Sequence, residues 1–212
     1  MKNKTSYLVG ITGGSASGKT HVLHQLGERF ASDHLTIISL DNYYFDMADQ
    51  PRDVHGQVNF DHPSAMNMPL FREHLSALLD GRAVEIRKYF HNNPQGGTPQ
   101  MVRYEPAPLL IIEGLFVFYV PEAEKLFDLR LFVDAEEHIK LIRRLRRDVS
   151  DRGYPIEEVM EMYQRFVMPM YRQFIEPFKE KADLVIPTNH AIDKAVEVVI
   201  DHLTSVLGRM RP

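Results

Sequence analysis

Two periods of apolar residues alternate along the chain. Short runs that are apolar at nearly every position, "SYLVGIT", "LTIISL", "PLLIIEG", "DLRLFVD" and "ADLVIP", are separated by longer stretches in which apolar residues return every three or four positions. The first kind predicts strands of a parallel sheet covered on both faces, because such strands meet apolar neighbours above and below. The second predicts amphipathic helices: "GKTHVLHQLGERFA", "PSAMNMPLFREHLSALLDG" closing at Gly81, "AEEHIKLIRRLRRDVSDRG" and "HAIDKAVEVVIDHLTSVLG". "IEEVMEMYQRFVMPMYRQFIEPFKEKA" reads as one long helix or two, interrupted near Pro169 and Pro177. Its stripe of Met160, Tyr163, Phe166, Val167, Met170, Tyr171 and Phe174 is core or a subunit contact. Strand and helix in alternation predict a doubly wound α/β sheet with right-handed crossovers. We read residues 1–212 as one domain without internal repeats, and the turn-rich "NNPQGGTPQ" at 92–100 as a loop.

Composition narrows the partners. The formal net charge of -4 disfavours a nucleic acid polymer, which wants a basic surface. With no cysteine, disulfides, thiolate chemistry and cysteine zinc sites are excluded. The longest apolar run, Leu109 to Val120, carries Glu113 and falls short of the ~20 residues that a bilayer requires. The opening "MKNKTSYLVGITG" leads straight into a glycine loop and reads as a first strand, not a signal peptide, so a cytoplasmic protein with no membrane partner is expected.

That glycine loop carries the firmest chemistry. Gly13, Gly18, Lys19 and Thr20 satisfy G-x-x-x-x-G-K-[ST], with Gly14, Ser15, Ala16 and Ser17 between them, after a strand and opening a helix. Backbone N–H groups of such a loop point inward and the helix N-terminus adds a positive end, so the expected ligand is a nucleoside triphosphate, ATP with Mg²⁺. Lys19 would reach the β and γ phosphates and Thr20 would place its hydroxyl on the metal. Asp41 lies just past the second strand's carboxyl end, where open α/β sheets keep their ligands. It could take a proton from an attacking hydroxyl, hold the metal through water, or serve only as a turn or helix cap. Glu113 ends a buried strand, where a carboxylate calls for a partner, and Mg²⁺ would supply one.

Five arginines, Arg143, Arg144, Arg146, Arg147 and Arg152, fall within ten residues of an otherwise acidic chain. A helix C-terminus is satisfied by one or two cations, so this cluster indicates a polyanion; the alternative is a solvated face. Arg143 and Arg147 are one turn apart, as are Lys140 and Arg144, opposite Leu141, Leu145 and Val149.

The motifs "GGSASGKT", "DNYY", "NFDHPSAM", "LLIIEGL", "RRLRRDVSDRG" and "ADLVIP", in this order from Gly10 to about Pro187, resemble the uridine kinase (uridine–cytidine kinase) family within the phosphoribulokinase superfamily. The resemblance implies a P-loop kinase fold that moves the ATP γ-phosphate to the 5′-hydroxyl of uridine or cytidine in pyrimidine salvage, and commonly a homo-oligomer. It implies Asp41 as general base; Thr20, Glu113 and Asp41 around Mg²⁺; Tyr44, Asp61, His62 and Tyr89 toward the nucleoside, in a small insertion at about 83–106; and Arg143, Arg147 and Arg152 in a mobile lid at about 136–155. The chain departs from the family where the base is read: Tyr89 fits, but His91 falls too early and no arginine precedes Arg103; in the lid, Tyr154 stands where arginine is usual. "TNHAID" also replaces the family's Arg-Gly-Gly near the adenine. A different small hydroxylated acceptor, or a non-catalytic nucleotide sensor, are the alternative readings.

Overall fold

A computed structural model describes residues 6–89 and 100–210. Five parallel strands form the central sheet in the order β2-β5-β1-β6-β7: β1 Tyr7–Thr12, β2 Leu35–Ser39, β5 Leu109–Glu113, β6 Leu129–Asp134 and β7 Leu184–Pro187. All five predicted strands are present, and alternation along β1, β2, β5 and β6 splits the core between two faces. Leu8, Ile38, Leu110, Ile112 and Phe132 face one side, while Val9, Ile11, Leu109, Ile111, Leu131 and Val133 face the other. On the second face, helices α1 Lys19–Arg29 and α7 Asp193–Met210 bury Val22, Leu26, Val196, Val199 and Leu203. The first face is covered by α2 Met68–Leu79 and by the long helical run near the C-terminus. The doubly wound α/β class read from the pattern is the architecture observed.

Two elements differ from the pattern-based reading. The insertion at about 83–106 carries a hairpin that the pattern did not mark: β3 Val84–Arg87 and β4 Met101–Tyr104 pair antiparallel, with only Val84 and Ile86 buried beneath them. Most of the "NNPQGGTPQ" loop, and His91, lie outside the described residues.

The second difference is the long helix. It is continuous past Pro169: α5 Ile156–Met162, a π turn at Tyr163–Val167, α6 Met168–Met170, a second π turn at Tyr171–Ile175 and a 3₁₀ turn at Glu176–Phe178. Proline has no N–H to give and crowds the preceding turn, and the widened π turns on either side absorb that defect without ending the helix. Tyr163, Phe166, Val167, Tyr171 and Ile175 are buried, so the aromatic stripe is core. The short α3 Pro121–Glu124 and α4 Glu137–Arg146, which continues as a π turn at Arg147–Asp151, complete the helices.

Candidate active site

Register brings the chemistry to one edge of the sheet. Glu113 pairs with Ile11 of β1 on one side and with Ser39 of β2 on the other. The tips of β1, β5 and β2 therefore deliver the glycine loop, Glu113 and Asp41 side by side. This is the carboxyl edge, where α/β sheets bind ligands.

The loop between β1 and α1 is shaped by contacts that admit no side chain. A Cβ on Gly13, whose φ is 147°, would lie 2.1 Å from the Val133 carbonyl oxygen. Ala16 holds φ 61°, a left-handed conformation that a non-glycine residue adopts only under constraint. Lys19 folds back over the loop, its Nζ donating to the carbonyls of Gly13 at 2.9 Å and Gly14 at 3.0 Å. Burial pushes the Lys19 ammonium below its ordinary pKa, while Glu113 and Asp41 act in the opposite direction. Thr20, in the first turn of α1, is exposed. The Ser17 hydroxyl is buried without a hydrogen-bond partner in the loop's own atoms.

Asp41 sits in a 3₁₀ turn, Leu40–Tyr43, begun by Ser39, whose hydroxyl accepts from the Asp41 amide at 3.3 Å. Its carboxyl pKa is raised to about 6, first by burial and then by the charge of Glu113; Lys19, Arg152 and Arg147 oppose the rise. The Asp41 and Glu113 carboxyl groups and the exposed Thr20 hydroxyl are the kind of hard oxygen donor that Mg²⁺ takes. Among the described residues no three His, Cys, Asp or Glu side chains gather into a metal cage. A cation here would thus share its shell with phosphate oxygens and water, the usual habit of Mg²⁺.

Tyr44, Tyr89 and Asp61 converge behind Asp41. The ring of Tyr44 lies 5.2 Å from that of Tyr89 and edge-on to Phe60 at 5.7 Å, and its hydroxyl donates to the Phe60 carbonyl at 2.9 Å. Burial raises the Tyr44 pKa well above its usual value, with Asp41 and Asp61 adding to the rise. Tyr89 is tied to the Asp41 turn through its amide, which donates to Asn42 Oδ1 at 2.9 Å. Asp61 is likewise raised by burial, against the charges of Arg144 and Arg147. His62 is not part of this convergence. Its Nδ1 accepts from the Ser64 amide at 3.1 Å and its ring meets Phe174 edge-on at 5.0 Å, so it caps the Pro63–Ala65 turn. Arg103 is engaged by Glu105 at 2.6 Å on the exposed hairpin.

The arginines divide among three settings. Arg143 turns away to Thr188, donating to its carbonyl at 2.6 Å and its hydroxyl at 3.1 Å. There it borders a cleft of about 540 Å³ beside the loop, lined also by Gly18, His21, His190 and Ile192. Arg147 and Arg152 act on Asp41. Arg144, one turn from Lys140 in the arginine cluster, joins three parts: it donates to Ser15 Oγ at 3.0 Å and approaches Asp61 at 3.8 Å and Asp148 at 3.1 Å. The signal for it was helical spacing. Lys140, Arg144 and Asp148 recur every four residues, and in this arginine-rich stretch it is Lys140 and Asp148 that are buried, not Leu141, Leu145 or Val149.

Gly114 locks the arrangement. With φ at 153°, a Cβ there would lie 2.5 Å from Leu40 Cβ, the root of the side chain just before Asp41. Gly114→Ala is therefore expected to destabilise the protein by about 1–3 kcal/mol and to move Asp41 away from Glu113. Urea unfolding followed by a rate measurement reads both effects, and an unperturbed midpoint would show that Gly114 and Leu40 are not in this contact.

Comparison with known proteins fits this geometry. The model of the phosphoribulokinase / uridine kinase family matches residues 8–195. A uridine kinase of Chloroflexus aggregans is 36% identical, covering 96% of this chain and 97% of that one, and a uridine kinase of Lactobacillus helveticus is 36% identical, covering 95% and 96%. Among solved structures, D-glycerate 3-kinase from Cryptococcus neoformans shares the fold with a TM-score of 0.64 at 16% identity, covering 89% of this chain and 88% of that one. Phosphoribulokinase from Rhodobacter spheroides does so with a TM-score of 0.54 at 23% identity, covering 81% and 69%. With a family model matched from β1 into α7 and relatives aligned over nearly their whole length, this chain belongs to the phosphoribulokinase / uridine kinase family.

Proposed function

We propose that this protein is an ATP-dependent nucleoside kinase that transfers the γ-phosphate to the 5′-hydroxyl of uridine or cytidine. The observation that carries the proposal is the meeting of Asp41, pKa raised to about 6, with the Lys19 loop on one side and the Tyr44–Tyr89–Asp61 group on the other. In this reading the loop amides and Lys19 hold the triphosphate, and the adenine lies in the cleft beside Gly18, His21 and Arg143. Asp61 holds the ribose hydroxyls. Asp41 is ionised at neutral pH and accepts the proton as the hydroxyl oxygen bonds to phosphorus and the ADP oxygen leaves. Thr20, Glu113 and Asp41 would hold Mg²⁺, whose charge neutralises the phosphate oxygens. Assembly into a homo-oligomer belongs to the same proposal.

A second acceptor has one specific observation in its favour. Where the family reads the base with a histidine and an arginine, this chain has His91 too early and no arginine before Arg103, which is committed to Glu105. Sites that hydrogen-bond a particular group reject analogues that lack it, so a changed set of readers changes the acceptor. An acceptor panel at fixed ATP and Mg²⁺, read by coupled ADP release, separates the two readings. Uridine and cytidine are expected to give the highest kcat/KM; a panel in which they are inert while a sugar or another nucleoside turns over would replace the substrate and keep the enzyme class.

A further inference from the structure

The lid buries a carboxylate among its own arginines. Asp148 is 4% exposed. Its Oδ1 accepts from Arg147 Nε at 2.8 Å and from Arg152 at 2.9 Å. Its Oδ2 lies 3.1 Å from Arg144 Nε and 3.4 Å from a terminal nitrogen of Arg147. Three guanidiniums thus close on one side chain. The spacing accounts for it, since Arg144 precedes and Arg152 follows by one helical turn each. After the left-handed Gly153, the Tyr154 amide returns to the Asp148 carbonyl at 3.0 Å and shuts the turn.

Left alone, three like charges in a partly desolvated cluster would repel and spread. Burial works to raise the Asp148 pKa, but the hydrogen bond from Arg147 and the charges of Arg147, Arg144 and Arg152 outweigh it and hold the group below the carboxylate range. The cluster also faces the reacting groups. Arg147 and Arg152 act on Asp41, Arg147 acts on Lys19, and Arg144 reaches Ser15. A carboxylate would repel phosphate, so any contribution of Asp148 to phosphoryl transfer must pass through the arginines that it holds.

We infer that Asp148 is a positioning residue that gathers Arg144, Arg147 and Arg152 into a preformed receptor for the triphosphate tail before nucleotide arrives. Donors fixed in advance need no reorganisation when charge develops on the transferring group. This inference rests on the kinase reading above, and it distinguishes placement from charge balance: a carboxylate that merely neutralises the lid could sit one carbon further out without effect.

The test compares wild type, Asp148→Asn and Asp148→Glu by calorimetric titration with adenosine 5′-(β,γ-imido)triphosphate and with ADP, no acceptor present, alongside unfolding midpoints. The preference for the triphosphate over ADP is expected to fall about tenfold in Asp148→Asn. In Asp148→Glu it should fall about threefold while the midpoint stays at the wild-type value. With uridine added, kcat should follow the same order. Should Asp148→Asn fail to fold, Asp148→Glu decides by itself on the same criterion. A wild-type preference in Asp148→Glu, or an unchanged preference in a folded Asp148→Asn, overturns the inference. An inert uridine leaves it standing, whereas wild type that binds neither nucleotide removes the kinase reading and this inference together.

Discussion

Replacing Asp41 by Asn is expected to lower kcat by about three orders of magnitude while nucleotide binding survives, the scale associated with losing a positioned general base. Asparagine keeps the shape and the local turn but cannot take a proton. The same substitution should stabilise the ligand-free protein. An ordinary aspartate titrates at 3.8 and Asp41 at about 6, so the folded state binds a proton more tightly than the unfolded state does. Stability therefore falls as pH rises from about 4 to 6, and the whole penalty is present above 6. Removing the ionisable group should return about 1–2 kcal/mol at pH 7.5, discounted because Lys19 loses one of its two carboxylate neighbours, and nothing below pH 4. On the wild-type enzyme, kcat/KM should drop tenfold per pH unit below about 6. A variant that loses activity without gaining thermal stability at neutral pH would mean that the carboxyl is not held in this desolvated, doubly anionic corner.

Lys19→Ala is expected to lower kcat/KM by about two to three orders of magnitude, measured as ADP release under acceptor saturation. Two effects add. The ammonium supplies a fixed point charge to the β and γ phosphates, and in the ligand-free protein it holds the Gly13 and Gly14 carbonyls from within the loop at 2.9 and 3.0 Å. Lys19→Arg should not restore the rate, because a planar guanidinium is too large for a loop in which even a Cβ on Gly13 would strike Val133. Folding should be little affected. Burial already disfavours the charged lysine, so its removal relieves a desolvation penalty while leaving Asp41 and Glu113 less well opposed. A Lys19→Ala enzyme with near-normal rates would show that the triphosphate is gripped elsewhere.

Much of this architecture could be read from the residues because local and tertiary preferences agree there. β1, β5 and β6 are apolar at almost every position since both faces are covered, and the glycine loop between β1 and α1 has a spacing that few other structures require. The hairpin was invisible for the opposite reason. β4 has no buried position, and β3 has only Val84 and Ile86, which leaves too little apolar alternation to mark strands. Pro169 misled in its own way, since the widened turns that tolerate it depend on packing across Tyr163, Phe166 and Tyr171. The arginine-rich helical segment at 136–155 inverted the usual rule. Lys140 and Asp148 are buried because they find partners, Tyr171 and Asp134 for one and three arginines for the other, and no hydropathy pattern encodes such pairing. His62 could be placed next to Asp61 by sequence, yet its direction is set by Ser64 and Phe174.

The most direct measurement is a single turnover. Wild type and Asp41→Asn are each loaded with γ-labelled ATP and Mg²⁺, mixed with excess uridine, and quenched over time. Wild type should convert its bound ATP into equal amounts of ADP and uridine 5′-monophosphate, while the Asn variant keeps the label on intact, bound ATP about a thousandfold longer. Label reaching uridine at comparable rates in both proteins would contradict an acid at the tip of β2 priming the acceptor.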